Sequence, residues 1–231
     1  MNNVLQSPFH GVFCISLDLM CYQQGLLSCL SSDEKARMQR YRQPDDARRH
    51  LLAHGFKRLL LSRLLAVAPQ ALSFSANPRG KPRCDTPNAP WFNLSHSGDW
   101  VIVGISEFAE IGVDVECVQR QTSEGVVNTV LSDEQRQRVQ AAANPEQVFM
   151  YYWTQKEAIS KAIGMGLSVD FQTLACCGQL GRSESPYDKQ TIYLQTGLLG
   201  GDYVLSIASA SPQDALIYRV DSWDSCHPIV L

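Results

Sequence analysis

Alternating apolar and polar positions predict two pairs of similar β-strands along the chain. GVFCISLDL at 11–19 and IGVDVECV at 111–118 each place apolar side chains at alternate positions, which is the period of a half-buried strand. GDWVIVGIS at 98–106 and GDYVLSIAS at 201–209 each lead from a Gly-Asp turn into an apolar strand. The two pairs are offset by 100 and 103 residues, so the chain repeats a pattern.

A second set of matched segments predicts helices between those strands. The segments at 31–40 and 131–140 both carry the Ser-x-x-Glu or Ser-x-x-Gln spacing of a capping box near their start. The segments at 46–66 and 147–164 repeat apolar residues with a helical period. Four matched elements in the same order indicate a duplicated plan.

We therefore expect an α/β (α+β) protein with two pseudo-duplicated halves, 1–110 and 111–231, each a small sheet packed by a long helix. A site is expected between the halves, because ligand pockets favour such interfaces. The turn-rich segment 78–90 predicts a loop in the first half. The polar segment 181–190 predicts a second loop.

Composition limits the function classes. The chain of 231 residues has a net charge of −3, which argues against a broad basic surface for nucleic acids. Its eight cysteines form no CxxC pair and predict small core residues of a reduced, cytosolic protein rather than a zinc site. No Lys or Arg precedes Lys35, and no apolar run is long enough to span a bilayer, so we expect a cytoplasmic protein without membrane binding.

The strand segment IGVDVE carries two acids on one face. Ile111, Val113 and Val115 alternate with Asp114 and Glu116, so the apolar residues would face the core and the acids would share the other face. Asp and Glu are poor strand formers, so the pair indicates either a solvated strand face or a hard-cation site. Mg²⁺ typically binds one or two carboxylates together with waters and phosphate oxygens.

The segment WTQKEAISKAIGMGL at 153–167 predicts a helix that ends at its Gly-Met-Gly sequence. Glu157 and Lys161 are four residues apart and therefore share a helix face. They are either an exposed ion pair, or a third carboxylate and an ammonium group that meet a metal-bound phosphate. Lys156 is either a further phosphate contact or a solvated lysine.

FNLSHSGDW at 92–100 and RGKP at 79–82 predict a basic pocket in an otherwise acidic chain. The histidine of the first segment precedes a turn, where a histidine is usually structural or exposed. The glycine of RGKP lies between two cationic residues and lets backbone approach an anion. The candidates for a pocket that binds terminal phosphates are Arg79, Gly80, Lys81, Asn93, Ser95 and His96.

Together, RGKP, FNLSHSG, IGVDVE and WTQKEAISKAIGMGL resemble, in this order, the motifs of the Sfp-type 4′-phosphopantetheinyl transferases. The resemblance implies the fold of that family and transfer of the 4′-phosphopantetheine arm of coenzyme A to a serine of an apo carrier protein. It implies release of 3′,5′-ADP, Mg²⁺ as the cofactor, coenzyme A as substrate and an acyl or peptidyl carrier protein as partner.

The resemblance also implies roles for the candidate residues. Asp114, Glu116 and Glu157 would bind Mg²⁺, and Lys161 would contact phosphate and stabilise charge on the leaving group. Glu157 or a metal-bound water would be the base, and Glu157, Lys161 and Asp114 form the expected catalytic set. The residues that would bind coenzyme A are Arg79, Gly80, Lys81, Asn93, Ser95, His96, Lys156 and Lys161.

Two other functions are alternatives. A Mg²⁺-dependent phosphodiesterase would use the same carboxylates with water as the nucleophile, and a non-catalytic module would bind coenzyme A or a carrier protein without chemistry. The chain departs from the family between Glu34 and Arg37, where some relatives carry more lysine. Because one chain supplies both halves, we expect a monomer.

Overall fold

A computed structural model describes residues 5, 8–19, 23–176, 180–185, 188–222 and 225–231 of the chain. Among these residues, no helix combines the length and the apolar character needed to traverse a bilayer. Within the described ranges, Cys14, Cys29, Cys84, Cys117 and Cys226 are free thiols, while Cys21 and Cys177 lie outside those ranges. The helices are α1 (Gln23–Cys29), α2 (Ser32–Met38), α3 (Pro44–Leu65), α4 (Glu124–Val130), α5 (Asp133–Gln140) and α6 (Pro145–Ala162).

The strands form two larger sheets and a small two-stranded one. The first sheet has the order β11-β10-β1-β5-β4, the second has the order β6-β9-β8-β7, and β2 pairs with β3. The strands are β1 (His10–Ser16), β2 (Phe74–Ala76), β3 (Pro82–Cys84), β4 (Trp91–Ser97), β5 (Trp100–Ser106), β6 (Ile111–Cys117), β7 (Leu180–Glu184), β8 (Thr191–Leu199), β9 (Tyr203–Ser209), β10 (Leu216–Val220) and β11 (Cys226–Pro228).

The segments matched in sequence occupy matching places in the two sheets. β1 pairs antiparallel with β5, and its counterpart β6 pairs antiparallel with β9. Both predicted capping boxes form, one at Ser31 and one at Ser132. The long helices α3 and α6 each begin at a proline two residues before the predicted start, a position that tolerates proline because its N–H has no helical partner. The mixed α/β class is confirmed, and its elements repeat as expected.

The C-terminal strands return to the first sheet. β10 runs parallel to β1 with Leu216 opposite Gly11, and β11 pairs with β10. The division into 1–110 and 111–231 stays a prediction, since strands from beyond residue 210 complete the first sheet. The predicted loop at 181–190 is wrong in its first part, because Leu180–Glu184 pair with β8 as a strand. A polar sequence is tolerated there because β7 lies at a sheet edge.

Three apolar clusters hold these layers together. One contains Phe13 and Phe56 and packs α3 on the first sheet, and another contains Ile159 and Val204 and packs α6 on the second. Burying one such side chain contributes about 1.5–3 kcal/mol. The third cluster lies between the two sheets and includes Val12, Ile102, Val113, Val115 and Leu205. The apolar face of β6 is therefore in the core, and its acidic face is directed the other way.

Candidate active site

Strand β6 and helix α6 are in direct backbone contact at Gly112. A Cβ atom at this position would lie 2.1 Å from the carbonyl oxygen of Ala158 and 2.4 Å from the nitrogen of Ala162. Only a residue without a side chain allows this approach. The contact places the acidic face of β6 against the helix turn that carries Glu157 and Lys161.

Side chains of β4 bind the edge of β6 where the two sheets meet. Asn93 Oδ1 accepts a hydrogen bond from the N–H of Val113 at 2.9 Å, and Ser95 Oγ accepts one from the N–H of Val115 at 3.3 Å. Asn93 and Ser95 are two residues apart and therefore share one face of their strand. Both predicted residues thus lie at the seam, which is the line where β4 of the first sheet meets β6 of the second. Their side chains, rather than backbone groups of β4, accept the hydrogen bonds from the N–H groups of β6.

Lys161 on α6 forms an ion pair with Asp114 on β6. Its Nζ lies 2.6 Å from Oδ1 of Asp114 and donates to the carbonyl oxygen of Val113 at 3.1 Å and to Ser95 Oγ at 3.3 Å. Ser95 Oγ donates to the same carboxylate oxygen at 2.9 Å. The second oxygen, Oδ2, is buried and has no hydrogen-bond partner among the described residues. Burial raises the pKa of Asp114, and the nearby Lys161 opposes that shift.

The other two acids have different surroundings. Burial, followed by the charge of Asp114, raises the pKa of Glu157, which is half-buried. Glu116 accepts a hydrogen bond from Ser97 Oγ at 2.8 Å through Oε2 and forms an ion pair with Arg120 through Oε1. A carboxylate with a raised pKa is a stronger base, so Glu157 is well suited to accept a proton.

These groups border one cavity of about 400 Å³. Such a volume is within the range of small-molecule sites, roughly 300–1,000 Å³. The three predicted acids and Lys161 all line it, together with Ser95 and His96. The structure therefore brings together all of the predicted catalytic residues, and three of those predicted to bind coenzyme A, Ser95, His96 and Lys161.

His96 lies at the cavity just before a turn that is held by hydrogen bonds from two other elements. Its side chain is exposed, and desolvation within the cavity followed by the charge of Arg49 lowers its pKa. Arg49 also donates to the carbonyl oxygen of Gly98 at 2.7 Å, and Tyr203 Oη accepts from the N–H of Asp99 at 3.2 Å. The turn after β4 is thus fixed by α3 on one side and by β9 on the other.

Part of the cavity wall was not predicted from the sequence. Tyr41, His50 and His54 line it. The rings of His50 and His54 stack with their centroids 4.2 Å apart, and burial lowers the pKa of His50 to about 4. No short motif marks these residues. His50 and His54 lie on α3 and Tyr41 precedes it, and the apolar period that predicts this helix does not depend on them.

The RGKP segment lies at the C-terminal end of α6 rather than in the cavity wall. Lys81 Nζ donates to the carbonyl oxygen of Ala162 at 2.5 Å and forms an ion pair with Glu110 at 2.6 Å. Arg79 donates to a methionine sulfur just beyond the helix. Gly80 has a φ of 89°, which an L side chain rarely adopts. The predicted phosphate ligands of this segment instead stabilise the end of the helix that carries Lys161.

Asn77 shapes that segment and was not identified from the sequence. Its Oδ1 accepts hydrogen bonds from the N–H groups of Arg79 and Lys81, both at 2.9 Å. Its Nδ2 donates to the carbonyl oxygen of Gly164 at 3.1 Å. One amide therefore both folds the turn and binds it to the end of α6.

Lys156 is a further predicted ligand-binding residue that the structure places outside the cavity wall. It is fully buried, and its Nζ donates to the carbonyl oxygens of Val130 and Phe171 and to Oε1 of Gln135, at 2.6–2.8 Å. All three N–H groups of the ammonium are thereby used. The geometry gives Lys156 a structural role, joining α6 to α4, α5 and the segment at Phe171, in place of the expected contact with coenzyme A.

Two family models match the chain. The model described as the 4′-phosphopantetheinyl transferase superfamily matches residues 110–208, and the model described as 4′-phosphopantetheinyl transferase, N-terminal, matches residues 21–108. The 4′-phosphopantetheinyl transferase ffp of Bacillus subtilis is 30% identical over 193 residues, which cover 81% of this chain and 85% of that protein. The chain belongs to the Sfp-type 4′-phosphopantetheinyl transferase family.

Two further relatives agree with this assignment. The 4′-phosphopantetheinyl transferase Sfp of Bacillus subtilis strain 168 is 28% identical over 80% of this transferase and 84% of its own length. The slr0495 protein of Synechocystis sp. strain PCC 6803 is 35% identical over 62% of this transferase, and the chain spans 61% of that relative's length. The prediction of a transferase-class enzyme is confirmed.

The acids of this transferase are not preassembled around a cation position. Within the described ranges, no three His, Cys, Asp or Glu side chains form a group that could hold a metal ion. Instead, Lys161 holds Asp114 and Arg120 holds Glu116. The donor set nevertheless fits Mg²⁺, because carboxylate oxygens are its preferred ligands and the buried Asp114 Oδ2 has no hydrogen-bond partner from any described residue. Mg²⁺ dependence stays a prediction.

Proposed function

We propose that this transferase moves the 4′-phosphopantetheine arm of coenzyme A to a serine hydroxyl of an apo carrier protein and releases 3′,5′-ADP. The observation that supports this most strongly is the convergence of Asp114, Glu116, Glu157 and Lys161 on one cavity of about 400 Å³. Transfer of a phosphoryl-linked group requires positioning and neutralisation of charge more than covalent chemistry by the protein.

The three carboxylates are proposed to hold Mg²⁺. Asp114 offers its buried oxygen Oδ2, which has no hydrogen-bond partner within the described part of the chain, and Glu116 and Glu157 border the same cavity. When bound there, Mg²⁺ would neutralise the pyrophosphate of coenzyme A.

Glu157 is the proposed base. The serine hydroxyl would attack the phosphorus of the phosphopantetheine group, its proton would pass to Glu157, and the bond from that phosphorus to the bridging oxygen of 3′,5′-ADP would break. Burial raises the pKa of Glu157, and a carboxylate with a raised pKa accepts a proton more readily. Metal-bound water is the other candidate base.

Lys161 is proposed to stabilise the charge that develops on the leaving group. Two of its three hydrogen bonds, to Val113 and Ser95, are longer than 3 Å. Exchanging one of them for a phosphate oxygen would cost little, while the bond to Asp114 keeps the ammonium in place.

Ser95 and His96 are the proposed contacts to coenzyme A within the cavity. Asn93, Arg79, Gly80 and Lys81 would act mainly by holding the seam and the end of α6, since their polar groups bind protein partners there. This assignment narrows the expected coenzyme A set, because it separates residues that would contact the ligand from residues that would only position those contacts.

The apo carrier protein is proposed to dock on the side of α6 that continues from the cavity. Two grooves of about 530 and 320 Å³ lie between the segment 119–123 and α6, and they are lined by apolar side chains such as Phe149 and Met150. Arg120 lines both grooves and the cavity, and Trp153 lines the cavity and the smaller groove. A carrier serine entering from these grooves would reach the acids.

Product analysis tests this function. Coenzyme A and Mg²⁺ are incubated with the enzyme alone, with an apo carrier protein, and with a carrier whose acceptor serine is changed to alanine. The proposal requires 3′,5′-ADP to appear only with the unaltered carrier. Release of 3′,5′-ADP without any carrier would instead identify a phosphodiesterase, and no release in any mixture would identify a binding module.

A further inference from the structure

Arg120 lies over one of the three acids because the chain turns sharply after β6. The N–H of Arg120 donates to the carbonyl oxygen of Cys117 at 3.2 Å, closing a turn just beyond the strand. Thr122 Oγ1 donates to the carbonyl oxygen of Arg120 at 3.4 Å, which continues the turn. The turn folds the guanidinium group back onto Glu116, with which it forms an ion pair. No helix is involved, although the two residues are four apart.

Both oxygens of Glu116 are engaged in this arrangement. Oε2 accepts from Ser97 Oγ at 2.8 Å, and Oε1 binds the guanidinium of Arg120. Ligation of a cation by Glu116 therefore requires one of these partners to move. The Arg120 side chain is 56% exposed, whereas that of Glu116 is 12% exposed, so the arginine is the partner that can leave into solvent.

The second cation at the cavity has no such freedom. Lys161 is 27% exposed and is held by the carboxylate of Asp114, the carbonyl of Val113 and the hydroxyl of Ser95. The three acids thus face Lys161, which is held by three partners, and Arg120, which is largely exposed. A divalent ion approaching them meets repulsion from both cations, and Arg120 is the one that can be displaced into solvent.

We propose that Arg120 is a built-in counter-cation that competes with the divalent ion for Glu116 and must be displaced before that ion binds. This inference rests on the proposed Mg²⁺ site. It explains why the acids are not preassembled: Arg120 stabilises Glu116 in a position suited to a guanidinium group. It also makes Arg120 a positioning residue that lowers the affinity of the free enzyme for the cation.

The test measures binding of Mn²⁺ to the full chain, without coenzyme A or carrier protein, from the electron paramagnetic resonance signal of the free ion. The variants are Arg120→Gln, which removes the competitor, and Arg120→Lys, which keeps its charge but not its planar fork. Arg138→Gln is the matched control, because Arg138 forms another exposed pair four residues from a glutamate, Glu134, on α5. Circular dichroism verifies folding of each variant.

Arg120→Gln is expected to bind Mn²⁺ about three- to tenfold more tightly than the unaltered protein. This change is at the upper end of the interaction energies of exposed ion pairs, because Glu116 is largely buried. The affinity of Arg120→Lys is expected to lie between those of Arg120→Gln and the unaltered protein. Arg138→Gln is expected to remain within about twofold, since Arg138 does not line the cavity and salt screens exposed charges. Equal affinity in Arg120→Gln and the unaltered protein would overturn the competition alone. Absence of Mn²⁺ binding in every variant would overturn the cation site and this inference with it.

Discussion

The Nζ atom of Lys161 lies 2.6 Å from Oδ1 of Asp114, and this pair joins helix α6 to strand β6 in the wall of the cavity. Both residues come from the second half of the chain, yet Ser95 of the first half donates to the same carboxylate oxygen. The charged centre is therefore assembled by both sheets, and its geometry depends on how closely α6 approaches β6.

Glu157→Gln is expected to reduce the rate of carrier loading by at least about 100-fold, because the amide neither accepts the serine proton nor carries negative charge towards a cation. The rate is measured as phosphopantetheine transferred per enzyme under saturating coenzyme A. Melting temperature should be unchanged, because the described residues give Glu157 no hydrogen bond to lose. Glu134→Gln on α5 is the control, since Glu134 is exposed. A folded Glu157→Gln enzyme with near-normal rate would refute the assigned role.

Gly112→Ala is expected to lower the free energy of unfolding by about 2–3 kcal/mol, because the added methyl group overlaps the backbone of α6 at Ala158 and Ala162. The free energy of unfolding is measured by urea titration. Gly125→Ala on α4 provides the control, since no atom lies within 4 Å of its added Cβ. That variant should be neutral or more stable by up to about 1 kcal/mol, as alanine is the better helix former. Equal stability of the two variants would disprove the close approach.

His50 is expected to make stability depend on pH. Burial lowers its pKa in the folded protein to about 4 from an ordinary 6.5, so between these values the unfolded chain binds a proton that the folded chain does not. Stability from this group is complete above about pH 6.5 and is lost as pH falls towards about 4, by roughly 1–3 kcal/mol in total. His50→Gln should flatten the dependence.

Urea unfolding at about pH 7 and about pH 5 measures this effect while limiting the contribution of carboxylates, which titrate mainly at lower pH. The exposed His227, changed to Gln, is the control. If His50→Gln loses as much stability between the two pH values as the unaltered protein does, the burial of a neutral His50 is not the cause.

His96→Ala and Lys81→Ala are both expected to raise the KM for coenzyme A, but only the second should lower stability. His96 is exposed at the cavity, so its loss removes a ligand contact. Lys81 binds Ala162 and Glu110, and loss of these charged hydrogen bonds should cost about 1.5–3 kcal/mol of unfolding free energy. Initial rates and urea titrations separate the two quantities. An unchanged KM in His96→Ala would remove His96 from the coenzyme A site.

The sequence predicted those parts of the fold that depend on local pattern. The strands with alternating apolar residues and both capping boxes are where their spacing indicated, because each depends on residues within a few positions of one another. The return of β10 and β11 to the first sheet was not predicted. Pairing of Leu216 with Gly11 depends on packing between distant segments, which no local period encodes.

The acids of the candidate site and Lys161 were predicted from the sequence, but the residues that position them were not. Acids on one face of a strand are conspicuous because strands disfavour them. The burial of Lys156, by contrast, has no local signal in the sequence. Its three acceptors lie on α4, on α5 and at Phe171, so its position depends on tertiary structure alone. Arg120 was missed because a single arginine after a strand belongs to no motif. Its contact with Glu116 depends on the turn that folds the chain back after β6.

The most direct test of the central claim is the intact mass of an apo carrier protein after incubation with this enzyme, coenzyme A and Mg²⁺. A panel of acyl and peptidyl carrier domains is used, each with a partner variant lacking the acceptor serine, and Glu157→Gln is the enzyme control. The account predicts a gain of one phosphopantetheine on at least one carrier, none on its serine-less variant and almost none with Glu157→Gln. An equal gain with Glu157→Gln, or a gain on the serine-less carrier, would contradict it.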